Sequence, residues 1–125
     1  MAGTIGAKLW AIAEGYIPAP GTGATRALSS HETVCILNAG DRDTEVRITV
    51  YFADREPAGP FRFAVKARRT RHIQFNDLKD PEAIPRETDF ASVIEADAPI
   101  VVQHTRLDSR QPALALMSTI AFPGA

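Results

Sequence analysis

The segment 100–111, IVVQHTRLDSRQ, places an imidazole, two guanidiniums and a carboxylate within a few residues: His104, Arg106, Asp108 and Arg110. A histidine near a carboxylate can move protons, and an arginine grips a carboxylate or phosphate through its planar fork. Ile100, Val102, His104 and Arg106 share one parity, so on a strand they stand on one face. A charged pair would then continue an apolar face, and buried polar groups are costly unless partnered. Glu14, His31, Glu32 and Asn38 also sit in or beside apolar stretches.

Two readings follow. His104 or Arg106 could pair with Glu14 or Glu32 across strands and fix their register. Alternatively, Trp10, Glu14, His31, Glu32, His104 and Arg106 could form a polar pocket for a small polar ligand, with Trp10 as a stacking floor. Asp108 and Arg110 are expected beyond the strand, in a turn or a subunit contact.

Other chemistry finds less support. Cys35 lies mid-strand between Val34 and Ile36, where an inert thiol is the ordinary state. No catalytic residue is assigned and no enzyme is expected. His31, His72 and His104 are far apart in sequence and there is no second cysteine, so neither a metal nor a cofactor is expected. The glycines of PGTGATR (20–26) suggest a phosphate loop superficially, but the spacing and the Lys-Ser/Thr ending are missing. KARRTRH (66–72) has five basic residues in seven. Arg68, Arg69 and Arg71 are therefore candidates for a partner or anion surface. DNA is one possible polyanion, weakly supported because no aromatic residues are interleaved for stacking. A solvated turn paired with carboxylates is the alternative.

These side chains must be carried by strands. The chain has 125 residues, 14 basic and 15 acidic, with a net charge of −1. That length suits a single domain, 1–125. The balance gives no global pull toward nucleic acid or anionic lipid. One cysteine excludes an internal disulfide, and no apolar run approaches the roughly 20 residues needed to span a bilayer. With no recognisable signal peptide, a cytoplasmic location is expected.

Period-two alternation dominates, most clearly in TEVRITVYFAD, where Val46, Ile48, Val50 and Phe52 share a face. ETVCILN is apolar on both parities, which predicts a central strand covered on both faces. FRFAVKA, RHIQF, FASVIEA and PIVVQHTRL read as further strands, the last two separated by DAP. ALALMSTIAF tilts toward a strand, and KLWAIAE opens the set. About eight strands and no confident helix predict an all-β, compact antiparallel sandwich. The stretch 76–89 is irregular because of its two prolines.

The blocks WAIAEGYIP, SHETVCILNAGD, FNDL, TDFASVI and PIVVQHTRLDSRQ closely resemble the sensory rhodopsin transducer family, from Trp10 to Ala121. The resemblance implies an all-β sandwich assembled as a homotetramer. It implies a soluble, cytoplasmic signalling protein that docks on the cytoplasmic face of a membrane sensory rhodopsin. The wider superfamily implies another role, binding of a sugar-like small molecule without a rhodopsin partner. Nothing in it suggests catalysis. Trp10, Glu14, His31, Glu32, His104 and Arg106 fall in matching blocks and inherit the candidacy for a polar pocket; ARRTRH also matches. Because a rhodopsin's cytoplasmic surface is often basic, Asp77, Asp80, Glu82 and Asp89 suit docking better than the arginines.

Overall fold

A computed structural model describes residues 3–21 and 25–124. Strict alternation in 44–52 buries Val46, Ile48 and Val50 completely and turns Glu45, Arg47 and Thr49 toward the wetter side. The same logic builds eight strands: β1 Ala7–Gly15, β2 His31–Asn38, β3 Thr44–Phe52, β4 Ala58–Val65, β5 Arg69–Gln74, β6 Phe90–Asp108, β7 Ala115–Ile120 and β8 Phe122–Pro123. All pairings are antiparallel. Two short 3₁₀ turns, Arg26–Leu28 and Phe75–Asp77, are the only helical segments among the described residues. None is long enough to cross a membrane.

β6 organises the fold. Its first half pairs with β1 and β3, giving an arm ordered β4-β3-β6-β1-β8. Its second half pairs with β2 and β7, giving an arm ordered β5-β2-β6-β7. The arms close over one core that includes Ile48, Val50 and Ile94 from one side and Val34, Ile36, Ile73 and Val102 from the other. The all-β antiparallel sandwich is therefore the observed fold.

Three expectations need correction. FASVIEA and PIVVQHTRL form one 19-residue strand rather than two. DAP does not interrupt it because the Thr44 hydroxyl accepts the Asp97 and Ala98 amides, each at 3.0 Å. Pro99, with no N–H to place, sits where the strand changes arms. Asp108 is the last residue of this strand rather than lying beyond it. β2 is not covered on both faces: Val34 and Ile36 are buried, while Cys35 is half-buried and Leu37 exposed.

Gly6 lets β1 meet β6 closely. It has a φ of 104°, and an added Cβ would fall 2.2 Å from the Ile100 carbonyl oxygen. That carbonyl also accepts the Trp10 indole N–H at 3.0 Å, and the Ala7 carbonyl accepts it at 2.9 Å. The segment 20–26 considered as a phosphate loop lies partly outside the described residues.

Candidate functional site

β2 and β6 lie side by side with Glu32 opposite Arg106 and Val34 opposite His104. Parity points all four inward, so the polar side chains enter the end of the core. Glu32 is 0% and His104 1% exposed. The Glu32 carboxylate accepts the His104 Nε2–H at 2.8 Å, the Tyr16 amide at 2.7 Å, and the Arg106 Nε–H and Nη2–H at 3.2 and 2.8 Å. Three of these donors converge on Oε2 and His104 serves Oε1, so both oxygens are partnered, which is what a buried carboxylate requires.

Arg106 reaches outward as well. Its Nη2 donates to Glu14 Oε2 at 2.9 Å, and its guanidinium lies 5.9 Å from the Tyr16 ring centre. Burial pulls the Arg106 guanidinium down, but the hydrogen bonds it donates to Glu32 and Glu14 outweigh this and hold it above its ordinary value. Glu14 is 72% exposed, so its contact is a surface one. A cleft of about 310 Å³ lined by Ala13, Glu14, Gly15, Asp89 and Phe90 opens beside it.

His104 Nδ1 has no partner among the described residues. With Nε2–H committed to Glu32, a proton on Nδ1 would be a buried donor without an acceptor. An acid and a base are therefore adjacent here, but each is sealed in the core.

The structure brings together Glu14, Glu32, His104 and Arg106, four of the six sequence candidates. Trp10 does not join them. Its ring is in the core and its N–H is bound to backbone carbonyls. His31 stands on the opposite face of β2, where its Nδ1–H donates to the Ser29 carbonyl at 2.8 Å. Asp108 and Arg110 form a local turn pair, with Arg110 Nη2 2.6 Å from Asp108 Oδ2.

Among the surface arginines, Arg71 is drawn back: it donates to the Ala64 carbonyl at 2.7 Å and stacks 5.2 Å from the Phe63 ring centre. Arg69 donates to the Arg68 carbonyl, and Arg68 adopts a φ of 54° in the β4–β5 turn.

Sequence reasoning missed three supports. Tyr16 supplies the amide that caps Glu32. Asn76 Oδ1 accepts the Glu32 amide at 3.1 Å, while its Nδ2 donates to the Ser30 carbonyl. Arg86 Nη1 donates to the Pro18 carbonyl at 2.6 Å and the Ser30 carbonyl at 3.1 Å, tying Pro18 to Ser30 beside the site. Tyr16 and Asn76 lie inside the family blocks, which was the available signal. Arg86, in an irregular loop, carried none.

No curated protein matches the chain. A solved structure of the Anabaena sensory rhodopsin transducer is 61% identical, covering 81% of this chain and 98% of its own, with a TM-score of 0.72. The crystal structure of Thermotoga maritima 1070 is 30% identical, covers 97% of both chains and has a TM-score of 0.86. Residues 5–123 match the family described as Anabaena sensory rhodopsin transducer, and the chain belongs to that family.

Proposed function

We propose that this protein acts by binding rather than by catalysis, as a cytoplasmic signalling adaptor that recognises a membrane sensory rhodopsin. The observation that carries this reading is the 61% identity to the Anabaena transducer across nearly all of that chain. The site agrees with it: the acid and base paired in the core, Glu32 and His104, are locked to each other and withdrawn from solvent.

Asp80, Glu82 and Asp89 are exposed and form the docking surface for a basic cytoplasmic face, with Asp77 partly committed to Arg26. The chain also assembles with itself as a homotetramer through the β7–β8 edge. Leu116, Ile120 and Phe122 are there 71%, 58% and 74% exposed, an apolar surface that self-association would cover. Arg68 and Arg69 remain a weaker surface for a polyanion such as DNA.

The test uses the photoreceptor in lipid nanodiscs and the full chain in solution. Asp80→Asn, Glu82→Gln and Asp89→Asn together should abolish binding while leaving the tetramer intact by light scattering. Unchanged binding by that triple variant removes the docking surface. No binding by the unaltered chain removes the adaptor reading.

A second reading has its own observation. The outward contact of Arg106 is to the exposed Glu14, beside an open cleft. A small polar ligand, a sugar-like one included, would exchange with Glu14 there and leave Glu32 and His104 as the rigid backing. Thermal-shift screening against sugars tests it: a ligand at about 100 times its dissociation constant adds about 2.7 kcal/mol. A flat panel with the tetramer intact removes this reading.

A further inference from the structure

The outward face of the β5-β2-β6 arm holds a second polar site, on the side of β2 away from Glu32. Register places Cys35 across from His72, and Thr33 across from Gln74 on one side and Thr105 on the other. With His31 and Arg26 they line a groove of about 380 Å³. None of these side chains is acidic, and each carries a hydrogen-bond donor. The Ser29 carbonyl can only accept, so it fixes the proton of neutral His31 on Nδ1 and leaves Nε2 for a ligand. His72 and Gln74 have no side-chain partner among the described residues.

We propose that this groove binds a small oxyanion, a phosphate or a carboxylate. The His31 and His72 imidazoles supply the charge, and Gln74 and Thr33 supply neutral donors, while the Thr105 hydroxyl donates to the Ser118 hydroxyl at 3.3 Å. The charged and titratable groups facing them are few. Arg26 stands at the rim, paired to Asp77 through contacts of 2.9 and 2.5 Å. The Cys35 thiol lies between the strands of the groove, 3.9 Å from the Thr105 hydroxyl. The hydrogen bond from Arg26 holds the Asp77 carboxyl below the usual carboxylate range, so this rim pair keeps its charges through the range in which histidines titrate. Protonation turns an imidazole into a donor at both nitrogens. Affinity for an oxyanion therefore rises as pH falls.

The three histidines make the experiment self-controlled, because His104 is buried on the other face. Sulfate is the probe, since its charge does not change between about pH 5.5 and about pH 8. Histidine ring-proton NMR at constant ionic strength should show saturable movement of two of the three resonances, with the third still. Because the charge on the site comes from a protonated imidazole, sulfate should bind more tightly at the lower pH than at the upper. His31→Gln with His72→Gln should remove sulfate binding while the His104 resonance and the Trp10 emission stay native. Inorganic phosphate and acetate, run in parallel, distinguish the two sources of the oxyanion. Equal, non-saturable movement of all three resonances is ionic screening and overturns the proposal. So does unchanged sulfate affinity in the double variant.

Discussion

Replacing Glu32 by glutamine tests whether the buried network is a register clamp. The side chain keeps its shape but loses its charge and one acceptor. In the native chain two oxygens receive four N–H donors from His104, Tyr16 and Arg106. A glutamine has one oxygen, so its NH₂ must confront a donor at fully buried depth. Breaking a buried ion pair from one side costs about 3–5 kcal/mol. Two features lower that figure. Arg106 is 18% exposed and keeps Glu14, and His104 can offer its unprotonated nitrogen to the amide if its proton moves to Nδ1. That move leaves the Nδ1 proton without a partner, at roughly 1–3 kcal/mol. A net loss of about 3 kcal/mol follows, which at this chain length lowers Tm by about 10 °C. Glu14→Gln removes only a surface contact and should cost less than about 1 kcal/mol. Urea denaturation of both variants, with protein concentration held fixed, reads the difference. Equal costs for the two would refute the clamp.

Gly6→Ala should destabilise by at least about 2 kcal/mol, because its φ disfavours a side chain and the new carbon meets the Ile100 carbonyl; thermal unfolding measures this. Hydrogen bonds from Arg26 and Arg110 hold the Asp77 and Asp108 carboxyls below their ordinary value. Their contribution is present above the unfolded value near 3.9 and is lost as pH falls through the lower folded values, so Asp108→Asn should flatten the stability loss below about pH 4 in acid denaturation. Trp10→Phe removes a donor shared by two backbone carbonyls and should cost about 2 kcal/mol in urea melts. Leu116→Asp with Ile120→Asp should lower the assembly state by light scattering without unfolding the chain, since both side chains are already exposed in the single subunit.

Much of the fold was legible because one-sided strands alternate. Val46, Ile48 and Val50 announced their buried face directly. The continuity of β6 was not legible, since DAP looks like a break until Thr44 supplies its hydroxyl to the two amides. Parity placed His104 and Arg106 inside the fold, but it could not choose Glu32 over Glu14 as their buried partner. That choice depends on the β2–β6 register, which is a long-range property. Trp10 looked like a ligand platform because residue type cannot reveal a side chain folded back onto its own strand. β2 misled for a related reason: Cys35 and Leu37 are apolar by type, yet they line an outward face.

The length of β6 has a further consequence. A strand that supplies hydrogen bonds to both arms cannot detach from one without loosening the other. Its central amides should exchange with solvent only through opening of the entire domain, while β7 and β8 exchange through local fraying. A load applied where a partner grips either arm would then be shared along a single backbone, and the two arms would behave as one cooperative unit.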